Sequence, residues 1–265
     1  MVASPPDTSS AGAGVRTFGL AEIAETAVIA AKGAHVVSVV IPAKDEAETI
    51  TGVIEAIRPH LAGCGGGLVD EIIVVDDGSS DGTASKAQRA GATVLSLTTG
   101  GGKGAAMAAG VDAACGDVIV FLDADVENTS ADFVTRLLGP LLLDDDVMLV
   151  KGFYERPIDG KPSGGGRVTE LTARPALRIL FPDLAHVLQP LAGETAIRRE
   201  VVEKIGLDIG YRVEMSLLID VGRTYGASAI AQVDLGVRFH RNRSIEELSA
   251  MATEVLGAAL ERSGR

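Results

Sequence analysis

Between His35 and Tyr154 short apolar runs rich in Val and Ile alternate with turns of Gly, Asp or Ser and with stretches of helical periodicity. The runs predict strands over 36–41, 71–75, 93–97, 118–122 and 147–153, and the stretches between them predict helices over about 47–61, 82–90, 103–114 and 131–143. That alternation is the signature of an α/β fold, a mostly parallel sheet with helices on both faces. Ligands of such sheets sit beyond the carboxyl ends of the strands, so the turns after Ile41, Val75 and Leu122 are where chemistry belongs.

From Glu155 the pattern changes to a polar loop rich in Gly and Pro, ERPIDGKPSGGG, followed by a helical stretch over 167–181 that Pro175 divides. A strand around 194–197, a helix over about 211–225 and a strand over 229–237 come next. The last helix starts after Ser244, with Glu247 at capping-box spacing.

Of 265 residues, 46% are hydrophobic and 23% charged, enough to bury a large core, which excludes a disordered chain. No apolar window approaches a membrane span: Lys32 and His35 break the best one, and Gly139, Pro140 and residues 144–146 the next. The opening MVASPPDTSSAGAG has no basic or apolar signal region and reads as a flexible tail. Two cysteines without a CxxC, Cys64 and Cys115, predict a reduced, cytoplasmic protein. A net charge of −12 argues against nucleic acid or an anionic membrane as partner, so any anionic ligand needs a local basic cluster.

The turn after the fourth of these strands reads FLDADVE, which sets Asp123 and Asp125 within reach of one hard divalent cation, Mg²⁺ or Mn²⁺, although an isolated pair at this spacing also serves as a helix-capping turn. The second strand runs into VVDDGSSDGT, carrying Asp76 and Ser79 as partners for a base or ribose, and the first into IPAKDEAE. A glycine run with Lys103 opens a small-residue helix and offers amides and an ammonium to a diphosphate; it lacks the spacing of an ATPase P-loop. Gly166, Arg167 and Thr169 at a helix start suit a phosphate and a carboxylate, or form a plain N-terminal turn. Arg238, His240, Arg241, Asn242 and Arg243 concentrate donors in an acidic chain. Glu214 falls on the apolar stripe shared with Leu217, Leu218 and Val221, so it needs a partner: an arginine, or the hydroxyls and developing charge of a sugar. Lys151 and Arg156 are further cations whose facing stays open.

In order along the chain, IPAKDEAETI, VVDDGSSDGT, GGGKGAAMAAG and VIVFLDADV resemble the GT-A glycosyltransferases, which use a nucleotide-diphospho-sugar and a divalent metal. The later segments LVKGFYERP, GGGRVTELTARP, QPLAGE, GYRVEMSLLID and AQVDLGVRFHRNRS are similar to the glucosyl-3-phosphoglycerate synthases and their mannosyl counterparts, over nearly all of residues 35–251. The resemblance implies a GT-A, Rossmann-like fold with a smaller acceptor-binding α/β extension. It implies transfer of a hexose, glucose first, from a nucleotide-diphospho-hexose to the 2-hydroxyl of 3-phosphoglycerate with retention, in a homodimer with no membrane or nucleic-acid partner. Pro42, Ala43, Glu46, Asp76 and Ser79 would line the nucleoside pocket, with Lys103 near the diphosphate and Asp123, Asp125 and His240 on the metal. Gly166, Arg167 and Thr169, with Arg241 and Asn242, would hold the acceptor. Glu214 would lie by the transferred sugar, and the catalytic roles fall to Glu214, Asp125 and Arg167.

The chain then divides into a flexible tail and lead-in (1–34), a nucleotide-sugar-binding half (35–154), an acceptor-binding and metal-completing half (155–243) and a C-terminal helix (244–265). Arg212, Thr195 and Phe239 differ from the family pattern beside the expected sugar and metal sites, which bears on substrate choice rather than fold. The rival readings are a GT-A enzyme acting on a lipid phosphate, polysaccharide or other phosphorylated acceptor, and a non-catalytic sugar-nucleotide-binding protein. The acidic last helix, with Glu246, Glu247 and Glu254, is a poor membrane anchor.

Overall fold

A computed structural model of the chain describes residues 14–62, 67–98, 100–155, 166–239 and 244–264. The first half runs β1 (Arg16–Phe18), α1 (Glu25–Lys32), β2 (Val37–Ala43), α2 (Ile50–Ile57), β3 (Glu71–Asp76), α3 (Thr83–Arg89), β4 (Thr93–Ser96), α4 (Gly102–Ala113), β5 (Val118–Phe121), α5 (Asp132–Leu143) and β6 (Leu149–Glu155). After the turn at residues 166–168 the chain forms a π-helical turn, Thr169–Ala173, that runs into α6 (Arg174–Leu180). The elements β7 (Thr195–Arg198), α7 (Arg199–Ile205), α8 (Val213–Tyr225), β8 (Ile230–Val237) and α9 (Ile245–Ser263) complete it.

The strands make one sheet in the order β1-β8-β6-β7-β5-β2-β3-β4. Every neighbouring pair is parallel except those of β7, which lies antiparallel between β5 and β6. The second half of the chain therefore adds its strands to the same sheet as the first. Alternate residues of a strand face opposite sides: Val39 and Ile41 pack with α1, α2, α3 and α5, while Val40 packs with α4, α6, α7, α8 and α9. Pro42 is tolerated in a central strand because its missing N–H falls on the side of β5, whose pairing has ended at Val40↔Phe121.

Two local expectations need correction. The helix read from residue 47 starts at Ile50, because the Asp45, Glu46 and Ala47 amides donate instead to Ser79, Thr83 and Asp81 side chains of the β3–α3 turn, each at 2.9 Å. The lead-in before residue 35 is structured where described: β1 pairs with β8, and α1 packs on α5 with Val28 fully buried. The tail over residues 1–13 lies outside the described residues. No helix of the described residues is long and apolar enough to cross a membrane.

Candidate active site

A cleft of about 1100 Å³ opens at the carboxyl ends of β2 and β5. Its floor on one side is the chain leaving β2, with Pro42, Ala43, Lys44, Asp45 and Glu46 on the wall. Asp45 adopts a left-handed backbone (φ 54°), held there by Ser80, whose amide donates to the Asp45 carboxylate at 2.8 Å, and by the Ser79 hydroxyl on the Asp45 amide.

The acidic turn after β3 mostly builds the site. Asp77 lines the cleft and accepts from the Gly101 and Gly102 amides at 2.8 and 3.0 Å, which fixes the glycine run at the start of α4. Asp76 is buried, with Oδ1 lacking a hydrogen-bond partner, and the cleft lining includes neither Asp76 nor Ser79, both expected on the nucleoside pocket; the Ser79 hydroxyl instead accepts from the amide of Asp45, which does line it. The packing of α4 explains its small residues: a Cβ on Gly104 would stand 1.9 Å from the Asp208 carbonyl oxygen.

Beyond β5, Asp123 and Asp125 both line the cleft. Lys103 of α4 places its ammonium 2.6 Å from Asp123 Oδ1 and 2.6 Å from Glu214 Oε1. Glu214, at the start of α8, is buried, so its partner is this lysine and not an arginine. Burial by itself would lower the Lys103 pKa, but the charges of Asp123 and Glu214 outweigh it and hold the ammonium well above its ordinary value. On its other side Asp123 meets Gly193, where a Cβ would stand 2.0 Å from Oδ1. Only glycine leaves room for this carboxylate.

A second set of buried charges supports the first, and sequence reasoning did not connect it. Glu194 and Arg238 pair at 2.5 Å, both almost wholly buried, and the guanidinium lies 4.8 Å from the Phe133 ring centre and 5.0 Å from that of Tyr154. Arg238 and Tyr154 also line the cleft. Lys151 donates to the Ala192 carbonyl at 2.5 Å and to the Thr195 hydroxyl at 3.1 Å. Burial pushes its ammonium down to about 8, against the pull of Glu214.

Across the cleft stand Gly166, Arg167 and Thr169, at the start of the π-helical turn, and a wall from α9 formed by Glu247, Leu248 and Met251. Nothing in the pattern of α9 marked it as part of the site. His240, Arg241 and Asn242 lie outside the described residues. Among the described residues no set of three His, Cys, Asp or Glu side chains is gathered for a metal. The donors that are present fit a hard cation such as Mg²⁺ or Mn²⁺: two carboxylates on one short turn, with a glycine clearing space for the first.

The departures from the family pattern find ordinary partners. Arg212 is held by Asp208 at 3.0 Å and by Glu261 of α9. Thr195 takes the Lys151 hydrogen bond, and Phe239 stands half-exposed at the cleft with its amide on Asn128 at 3.1 Å.

Comparison with known proteins gives the family. Residues 38–206 match the glycosyl transferase family 2. The chain is 47% identical to glucosyl-3-phosphoglycerate synthase of Mycolicibacterium smegmatis over 246 residues, 89% of this chain and 80% of that one. It is 45% identical to the Petrotoga mobilis protein of the same name over 206 residues, 74% of this chain and 63% of that one. The crystal structure of glucosyl-3-phosphoglycerate synthase from Mycobacterium tuberculosis with Mn²⁺, UDP and glucosyl-3-phosphoglycerate superposes with a TM-score of 0.86 at 43% identity, covering 94% of this chain and 88% of that one. A complex of the same enzyme with Mn²⁺, UDP-glucose and phosphoglyceric acid gives 0.87 at 42% identity, covering 96% and 89%. The chain belongs to glycosyl transferase family 2, among the glucosyl-3-phosphoglycerate synthases.

Proposed function

We propose that this chain transfers glucose from UDP-glucose to 3-phosphoglycerate in a reaction that requires Mg²⁺ or Mn²⁺. The observation that carries the reading is the shared cleft: the Asp123 and Asp125 carboxylates and the turn at 166–169 stand on walls of one cavity with Glu214. It is supported by relatives whose structures hold Mn²⁺ or Mg²⁺ with UDP, and phosphoglyceric acid or glucosyl-3-phosphoglycerate.

Pro42, Ala43 and Glu46 bind the nucleoside, and Lys103 meets the diphosphate end of the donor. Asp123 and Asp125, with His240, hold the cation, which when bound supplies positive charge to offset the departing diphosphate. The Gly166 amide, the Arg167 guanidinium and the Thr169 hydroxyl receive the acceptor's phosphate and carboxylate, with Arg241 and Asn242 completing the set. 3-Phosphoglycerate has one free hydroxyl, at carbon 2, and that oxygen takes the glucose. Asp123 and Glu214 are both held by Lys103, which suits them to stabilise charge rather than attack the sugar, so the transfer proceeds on the front face with retention. Homodimeric assembly in the cytoplasm belongs to the same proposal, and light scattering with cell fractionation reads it.

The test is nucleoside-diphosphate release from UDP-, GDP- and ADP-hexoses in Mg²⁺ or Mn²⁺, with and without 3-phosphoglycerate, followed by mass detection. Release of UDP from UDP-glucose that requires 3-phosphoglycerate and yields a hexosyl-phosphoglycerate is expected. Hydrolysis without acceptor, or no release with any donor, overturns the reading.

A further inference from the structure

Among the described residues, Lys151 is a fully buried cation beside the site that does not line the cleft. Its bonds go instead to the turn that precedes β7. Each residue of that turn, from 191 to 194, meets the site. Leu191 and Ala192 form cleft wall, Gly193 lies against the Asp123 carboxylate, and Glu194 holds Arg238. Lys151 grips this backbone from behind, at the Ala192 carbonyl and at the Thr195 hydroxyl, its register partner across β6 and β7. The Gly152 amide adds a bond to the Glu194 carbonyl at 2.8 Å.

We propose that Lys151 is a positioning residue for the cation site, fixing the turn at 191–194 so that Gly193 leaves the Asp123 carboxylate in place. The reasoning rests on the donor-site reading above. A lysine here carries a cost that a methionine of similar length would avoid, since burial opposes its charge. Glu214 of α8 and Glu194 favour the ammonium and Lys103 of α4 opposes it, with Asp123 adding a weaker pull. The ammonium reaches two acceptors at once, which no apolar side chain could do.

The test compares Lys151→Met, Lys151→Arg and Thr195→Val with the parent chain. Mn²⁺ affinity in the presence of UDP, read by electron paramagnetic resonance, is measured beside kcat and KM. Loss of a positive charge near Asp123 would by itself tighten Mn²⁺ binding. Loss of positioning weakens it, by about ten- to a hundredfold as for other outer-shell supports of a metal site. Lys151→Met is expected to raise the Mn²⁺ Kd and lower kcat, with partial rescue in Lys151→Arg. Thr195→Val, which leaves the charge intact, is expected to shift both in the same direction by a smaller factor. An unchanged or tighter Mn²⁺ Kd in Lys151→Met overturns the proposal. If that variant does not fold, Thr195→Val decides, and parental Kd and kcat overturn it. A parent chain that binds UDP and Mn²⁺ but makes no glucosyl product defeats the proposed function while leaving this test readable.

Discussion

Gly193 stands so close to Asp123 that a Cβ at that position would lie 2.0 Å from Oδ1 and 2.4 Å from the carboxyl carbon. Aspartate has one rotatable bond before its carboxylate, so the clash cannot be relieved by swinging a long side chain aside. Gly193→Ala is therefore expected to displace the Asp123 carboxylate and weaken Mn²⁺ binding by about tenfold or more, with kcat falling in step. Its far-ultraviolet circular dichroism should match the parent. Mn²⁺ titration is the deciding measurement, and a parental affinity would show that Asp123 does not hold the cation.

Lys103 joins two carboxylates that come from different elements, Asp123 after β5 and Glu214 on α8. Lys103→Met would leave the buried Glu214 and the partly exposed Asp123 without their shared counter-charge; with solvent reaching the Asp123 side, the loss is about 1–3 kcal/mol. The urea midpoint should fall accordingly. Turnover should fall by about a hundredfold or more, because a preorganised charge at the diphosphate end is lost. Loss of turnover without loss of stability would mean that the lysine meets the substrate but is not a structural bridge.

The Lys151 ammonium has a pKa of about 8 in the folded chain, against 10.5 ordinarily. Between those values the unfolded chain binds more protons than the folded one, so unfolding free energy rises with pH across that window, and below about 8 the whole penalty of the buried charge stands. The slope is at most about 1.4 kcal/mol per pH unit. Other groups titrate too, so the readout is the difference between the parent and Lys151→Met in denaturation at pH 7.5 and 9.5. The parent should gain relative to the variant at the higher pH. An equal response in both chains would place the lysine's folded pKa near its ordinary value.

The parallel strands were legible because buried runs such as VVSVVI and EIIVV state their own burial, and the place of Asp123 and Asp125 at the cleft because a turn after a strand of such a sheet opens at its carboxyl edge. The direction of β7 was not, since four residues, TAIR, say nothing about which neighbours they join or which way they run. The start of α2 was misplaced because its first amides are satisfied by side chains more than thirty positions away in sequence. The same distance hid the pairing of Glu194 with Arg238, forty-four positions apart. Asp77 shows a further limit: an acidic turn has the same composition whether its carboxylate meets a ligand or, as here, the amides of the next loop.

Arg212 offers a case where family pattern and local structure lead to different expectations. Its place beside Tyr211, which lines the cleft, invites a role in substrate choice. The guanidinium instead bonds Asp208 and Glu261, and its pKa is raised above the ordinary value, first by the bond to Glu261. Tyr211 is itself anchored to α9 by its amide, which donates to Glu254 at 2.7 Å. Arg212 thus belongs to the seam between the start of α8 and α9. Glu261 is well exposed, so the seam loses only about 0.5–1 kcal/mol on Arg212→Ala. The preference among UDP-, GDP- and ADP-glucose, measured as the ratio of kcat/KM values, should be unchanged. A shifted ratio at parental stability would place Arg212 in contact with the donor and not in the seam.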